Sequence, residues 1–322
     1  MPERHDHHLH DHQHTHPSQQ RMTLWSPAGV VAQPAALRRA ARYLGRHGFE
    51  VEIDEAALAR HQRFAGDDDT RLAALYRIAD ARPDIAMASR GGYGLTRLLD
   101  RIDWTRIGRS TAAGTRWVGY SDVTALHLGA IAHKACGPDA PMWAGPLACD
   151  DFGRTAEQGG VDDITEACFV EAMTGELEAV GFRTEAGFDG LEARGTLWGG
   201  NLTVLAAMLG TPHFPKLKGG ILFLEDVNEH PYRTERTLLQ LAQAGVLDAQ
   251  RAVLLGDFSG WKKSPLDRGY SLKTAIAHVR SATQVPVLTG LPFGHVATKV
   301  CLPVGHRVDL VAEGRDVLIA WG

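Results

Sequence analysis

Apolar positions along this chain fall into two alternating rhythms, with glycine or proline marking most of the changes between them. The stretch Thr23-Leu-Trp-Ser-Pro-Ala-Gly29 reads as a strand that ends in a turn. From Pro34 to Gly48, Ala36, Leu37, Ala40, Ala41 and Leu44 recur at three-to-four spacing, which predicts a helix stopped by glycine. Phe49–Ile53 alternates like a strand, and 69–81 reads as a second helix, capped by Asp68, Asp69 or Thr70 and ended before Pro83. A buried strand is expected over 84–88, a helix from Tyr93 to Leu99, a strand over 117–120 and a helix over 122–134. Strands alternating with helices imply a parallel sheet covered by helices, with right-handed crossovers.

Between about Asp150 and Arg194 the rhythm weakens and glycine and acidic residues become frequent. A linker is expected over 151–194, holding one short helix at 164–173. A second block starts near Gly195, with helices over 201–209 and 232–244 and strands over 220–225, 252–255, 285–288 and 308–311. The length of 322 residues suits two domains, here 21–150 and 195–322, and the second is the richer in strands.

Composition narrows the function classes. Apolar residues make up 44% and charged residues 22%, as in an ordinary globular protein with a sizeable core. Net charge is -4 with no local Lys/Arg run, which argues against a nucleic-acid partner. No stretch approaches the roughly 18 apolar residues of a membrane span, and residues 1–20 lack the apolar core of a secretory signal. Cys136, Cys149, Cys168 and Cys301 lie far apart without metal-site or redox spacing, so a reducing compartment, the cytoplasm, is expected. Residues 1–20 read as a separate disordered tail carrying seven of the sixteen histidines, a composition that can bind zinc, nickel or copper weakly.

The chemistry concentrates where apolar strands end. Trp117-Val-Gly-Tyr-Ser-Asp-Val runs from strand to helix through Ser121, placing a hydroxyl at the carboxyl edge of a parallel sheet and at a helix N-terminus. This is the position of a nucleophile on an elbow, although the second glycine of the G-x-S-x-G pattern is missing, and a simple helix cap is the competing reading. Ser89-Arg-Gly-Gly-Tyr-Gly94 follows another buried strand, where adjacent glycines let backbone N–H groups approach a ligand. One N–H from Gly91 or Gly92, with that of Asp122, would make a two-donor oxyanion hole. A phosphate loop is the alternative, but the Walker lysine and the G-x-G-x-x-G spacing are both absent. A serine nucleophile needs a base and the base needs a carboxylate. Glu225 and Asp226 end the apolar strand Gly219–Glu225, and His295 stands in a glycine-flanked loop after another apolar segment, in the order Ser, acid, His. Taken singly, Glu225 could be a surface acid and His295 a structural loop residue.

At these segments the chain resembles the LD-carboxypeptidases, a family of serine peptidases. The stretches that carry the resemblance are Arg63–Gly66, Arg90–Gly94, Leu98–Trp104, Gly119–Ala125, Gly195–Leu202, Leu224–Pro231 and Gly290–His295, in the family's order from about residue 23 onward. The resemblance implies a Rossmann-like N-terminal domain with a parallel sheet that supplies Ser121 as nucleophile. It implies a smaller strand-rich α/β C-terminal domain that supplies His295 as base and Glu225 as its partner, with no cofactor and no metal. Gly91, Gly92 and Asp122 would supply the oxyanion hole. The implied reaction removes the terminal D-Ala from murein tetrapeptides at an L,D bond during cell-wall recycling. Trp198-Gly-Gly-Asn201 and Asn228–Arg233 favour this murein branch, and Trp198 and Asn201 are expected substrate contacts. Arg90 and Arg233 are the candidates to hold the terminal D-Ala carboxylate, although either could equally be an ion-pair partner.

Two other functions stay open on sequence. One is hydrolysis of acyl-sulfamoyl or peptidyl-nucleotide conjugates, as in the self-immunity branch, which would need an exposed aromatic to stack a base. The other is metal binding through the tail. The expected partners are a small peptide substrate and a second copy of the chain, since homodimers are the commonest assembly.

Overall fold

The computed structural model describes residues 19–321. The His-rich stretch lies outside the described residues, and Gln20, assigned above to the tail, already opens the first strand. The N-terminal part contains β1 (Gln20–Trp25), α1 (Pro34–Arg46), β2 (Phe49–Ile53), α2 (Asp68–Ala81), β3 (Ile85–Ala88), α3 (Trp104–Ala112), β4 (Arg116–Gly119), α4 (Thr124–Ala132), β5 (Met142–Ala144) and α5 (Asp163–Thr174). There follow β6 (Ala179–Arg183), β7 (Glu192–Asn201), α6 (Leu202–Met208), β8 (Ile221–Val227), α7 (Pro231–Gln243), β9 (Ala252–Ser259), α8 (Leu272–Ser281), β10 (Val287–Thr289), β11 (Leu302–Val304), β12 (Arg307–Glu313) and β13 (Asp316–Ala320).

The fold is α/β, built on two sheets. The first has the order β11-β5-β4-β3-β1-β2, parallel except that β11 runs antiparallel to β5. The second has the order β10-β9-β8-β7-β12-β13-β6; β10 to β7 are parallel and the other three pair antiparallel. Burial follows strand type. All four residues of β3 are buried, as in a central parallel strand covered on both faces. By contrast β12 and β13 alternate buried and exposed positions, leaving one face of that end of the sheet to water.

Local chemistry explains most of the helix ends. Pro34 stands in the first turn of α1, where its missing N–H costs nothing, and Leu37, Ala40 and Leu44 form the buried stripe. The cap of α2 is Asp67, whose side chain accepts from Thr70 N, one residue before the candidates read from sequence.

Three expectations are corrected. The helix expected from Tyr93 to Leu99 is instead a pair of short 3-10 turns, Leu95–Arg97 and Leu99–Arg101, and Gly94 at φ 157° keeps itself and Tyr93 outside them. The stretch 151–194 holds α5, which was expected, but also β6 and the start of β7, both paired into the second sheet. Finally β11, far along the chain, crosses back to extend the first sheet, so the chain exchanges a strand between its two halves.

Candidate active site

The candidate groups gather at the carboxyl ends of parallel strands: Glu225 within the last residues of β8, Ser121 just past β4 and His295 in the loop after β10. β4 ends at Gly119, and the chain turns through Tyr120 in an extended conformation to Ser121 at φ 64°. A non-glycine residue there is strained, at a cost of order 1–3 kcal/mol, and such strain clusters where a side chain must be aimed. The turn is tight because a Cβ on Gly119 would lie 2.9 Å from Val123 Cγ2. A 3-10 turn, Ser121–Val123, leads straight into α4.

The rim beside Ser121 is the glycine loop. A Cβ on Gly91 would lie 2.7 Å from Ser121 Oγ and 3.4 Å from Asp122 N, so only glycine leaves room between that loop and the hydroxyl. Gly92 has φ 100°, which an L side chain rarely adopts. The loop is held from two sides. Arg71, fully buried, donates from Nη1 to Gly94 O and Pro27 O, both at 2.9 Å. Leu95 N donates to Asp122 Oδ2 at 2.8 Å. Burial pushes the Asp122 carboxyl up to about 6, while the Leu95 N–H and the Arg71 charge pull the other way.

Across the cleft, His295 Nε2 lies 3.1 Å from Ser121 Oγ and His295 Nδ1 lies 2.7 Å from Glu225 Oε2. A carboxylate can only accept, so Nδ1 carries the hydrogen and Nε2 is free to accept from the hydroxyl. Glu225 is wholly buried at the end of β8. Its Oε1 accepts from Asn201 Nδ2 at 3.1 Å, and the same amide donates to Asp226 Oδ1 at 3.0 Å. Strict strand alternation would send the two acids to opposite faces, but the pairing of β8 with β9 shifts register between Leu224 and Asp226. Only Glu225 reaches His295. Asp226 instead accepts from Thr203 N, Thr203 Oγ1 and Val227 N, at the entry to α6.

The His295 loop is tied to both halves of the chain. Its carbonyl accepts from Ser259 Oγ at 3.3 Å, and its ring meets Tyr120 edge-on with centroids 4.9 Å apart. Further along, Lys299 N donates to Thr165 Oγ1 at 2.9 Å and Thr298 Oγ1 donates to Asp162 Oδ2 at 2.7 Å, both partners at the start of α5. Lys299 and Asp151 form a buried ion pair, and the Lys299 ammonium lies 5.2 Å from the centre of the Tyr120 ring.

Ser121, His295 and Glu225 thus lie in contact, and Gly91 stands against Ser121 and Asp122 with Gly92 next along the loop, while two expected substrate contacts are corrected. Trp198 is completely buried, donating its Nε1–H to Gln250 Oε1 at 3.0 Å, and so packs the second domain's core. Asn201 is 5% exposed and serves the acids, while its backbone N donates to Thr124 Oγ1 of α4 at 3.0 Å. Arg233 is exposed on α7 beside Tyr232 and 3.8 Å from Glu229, with no triad residue among these neighbours. Arg90 stands next to the oxyanion loop, its Nη1 donating to Val30 O at 2.8 Å. Sequence reasoning missed Arg71, Lys299 and Asp151. The available signal was a charge inside an apolar run, as in Lys299-Val-Cys-Leu302. Among the described residues no cluster of His, Cys, Asp and Glu is arranged to hold a metal ion.

A hydroxyl, an imidazole and a carboxylate in series between two α/β units define a hydrolytic class of enzyme, one suited to acyl transfer. More narrowly, the chain belongs to the LD-carboxypeptidase family: residues 22–137 match its N-terminal domain and residues 194–310 its C-terminal domain. It is 33% identical to the murein tetrapeptide carboxypeptidase of Pseudomonas aeruginosa over 304 residues, covering 90% of this chain and 92% of that one. It is 34% identical to a putative carboxypeptidase of Streptomyces coelicolor, with 91% of each covered. Among solved structures, muramoyltetrapeptide carboxypeptidase from Oxalobacter formigenes superposes with a TM-score of 0.82 at 38% identity, covering 93% of this chain and 97% of that one. MccF in complex with glutamyl sulfamoyl guanosine superposes at 0.80 with 21% identity, covering 94% and 96%, a likeness of fold.

Proposed function

We propose that the protein is a serine-type LD-carboxypeptidase that removes the terminal D-Ala from murein tetrapeptides in the cytoplasm. The observation that carries this reading is the chain of contacts from Ser121 through His295 to Glu225, at 3.1 and 2.7 Å. His295 Nε2 takes the proton as Ser121 Oγ attacks the scissile carbonyl, and Glu225 holds the imidazolium that forms. Backbone N–H groups from the Gly91–Gly92 loop and Asp122 receive the oxyanion, each such donor contributing about 3 kcal/mol. His295 then returns the proton to the leaving D-Ala nitrogen, and a water activated by the same imidazole hydrolyses the acyl-enzyme.

Selectivity for an L,D bond follows if the acyl-side residue must turn its hydrogen toward the wall and its side chain toward the open cleft. The opposite enantiomer would reverse the two. The names of the relatives, murein tetrapeptide and muramoyltetrapeptide carboxypeptidases, support the substrate.

Mass spectrometry of purified tetrapeptide, and of a pentapeptide ending in D-Ala-D-Ala, checks both parts of this reading. Wild-type protein should release one D-Ala from the first and spare the second. The Ser121→Ala variant should fold normally and lose about 10⁴–10⁶ in kcat. Equal rates on the two peptides, or more than a tenth of the activity left in the variant, would overturn it.

A further inference from the structure

A cavity of about 380 Å³ opens between the start of α1 and the turn beyond β5, and its lining includes Arg39, Arg90, Arg154, Asp150, Gln33 and Cys149. Three guanidiniums around one small space repel one another unless something negative joins them. Each is held in place by a backbone carbonyl. Arg90 Nη1 donates to Val30 O at 2.8 Å, Arg39 Nε donates to Gly153 O at 2.9 Å, and Arg154 Nη2 donates to Gln158 O. Among the described residues, none of the three forms a salt bridge with a carboxylate. The lining therefore carries three positive charges against the one negative charge of Asp150, a net charge of +2.

The cavity borders the loop that runs on to the nucleophile's rim: Arg90 is in its lining, and Gly91, the next residue, lies against Ser121. Arg90 immediately precedes the glycine loop, and a Cβ on Gly29 would lie 3.4 Å from Arg90 Cζ and 2.9 Å from Gly91 O. Cys149 N donates to Ser89 O at 2.8 Å, tying the cavity's far wall to the same loop. Burial and the neighbouring Asp151 charge hold the Asp150 carboxyl above its usual range, while the charges of Arg90 and His295, one at each place, pull it down.

We infer that this cavity is the anchoring site for a carboxylate of the peptide substrate, received by Arg39, Arg90 and Arg154 while the neighbouring carbonyl meets Ser121. The inference rests on the function proposed above and deepens it. Planar guanidiniums match a carboxylate's two oxygens in a fork, which a lysine cannot do. Two carboxylates on a murein peptide have this chemistry: that of the terminal D-Ala, and the side-chain carboxylate of diaminopimelate where that residue is third in the peptide.

Steady-state kinetics of wild type, Arg39→Gln and Arg154→Gln test it on three tetrapeptides. One has diaminopimelate at position three and a free terminus, the second has that terminus amidated, and the third carries lysine in place of diaminopimelate. Each variant should raise KM on the first peptide by about ten- to hundredfold, the size of a lost hydrogen bond to a charged group, and change kcat far less. On the peptide lacking the anchored carboxylate, wild type and variants should converge: convergence on the amide identifies the terminus, and convergence on the lysine peptide identifies the side chain. An Arg39→Lys variant should recover part of the loss, since it restores charge without the fork. Variants that lower kcat/KM by one common factor on all three peptides would overturn the site while leaving the peptidase reading in place. A wild-type protein that cleaves none of the three removes the peptidase reading and the site with it.

Discussion

Exchanging Lys299 for glutamine leaves the Asp151 carboxylate without its counter-charge in a place water does not reach. Lys299 is 1% exposed and Asp151 4%. Burial is the largest influence on Asp151 and holds its carboxyl above the usual range, against the pull of the Lys299 charge and the Leu147 N–H at 2.7 Å. For such a pair the attraction must offset the hydration both groups lose, and it does so only while both charges are present. Removing either charge alone, as Lys299→Gln or Asp151→Asn, should cost about 3–5 kcal/mol, because the remaining charge stays buried and bare. The double variant tells a different story. Asparagine at 151 can still accept from Leu147 N, and its amide can donate to the glutamine oxygen at 299, so an uncharged hydrogen bond replaces the ion pair. It should lie within about 2 kcal/mol of wild type, giving a coupling of several kcal/mol between the two sites. Urea denaturation at pH 7 reads the stabilities. Turnover reads the function, since Lys299 lies four positions after His295 in a loop stitched to α5. A double variant as unstable as the worse single one, or a Lys299→Gln cost below about 1 kcal/mol, would refute this account of the pair.

Three further outcomes are expected. Glu225→Gln should lower kcat by about 10³–10⁴ through the wrong imidazole tautomer, whereas Asp226→Asn should act mainly on stability, at about 1–2 kcal/mol, as the loss of a helix-entry acceptor; the two separate in kinetics and in melting curves. Gly91→Ala would set a methyl 2.7 Å from Ser121 Oγ and should reduce kcat at least about a hundredfold without unfolding the protein, as activity and circular dichroism would show. His127, fully buried on α4, has its ring lowered from 6.5 to about 4 because burial strips water from the charged form, with the Trp117 carbonyl pulling the other way. An unfolded ring charges below about pH 6.5 and the folded one does not, so its stabilising contribution is present above that pH and is lost as pH falls toward 4, by about 3 kcal/mol. Asp122, raised to about 6, acts with the opposite sign, its contribution falling as pH rises from about 4 to 6. Comparing His127→Gln with wild type by urea denaturation at pH 5 and pH 7.5 isolates the histidine, and identical slopes would contradict it.

The sequence by itself determined the alternation of strands and helices, the α/β class and the ends of strands where chemistry gathers. These are local matters. A strand's burial shows in its apolar run, and the tight turn after β4 shows in Gly119-Tyr-Ser121, because short-range sterics decide both. Glycine at 91 and 92 was legible for the same reason. Tertiary structure alone decided what is non-local. Trp198 and Asn201 stand in a motif that reads as a binding segment, yet the Trp198 side chain is turned into the core and Asn201 onto the two acids, because β7 lies beside β8. The register shift that brings Glu225 and Asp226 to one amide depends on β9, some thirty residues away. The return of β11 to the first sheet and the meeting of Arg39, Arg90 and Arg154 around one cavity likewise join segments that share no local pattern. Side-chain periodicity records which face is buried; it carries no information about which distant neighbour buries it.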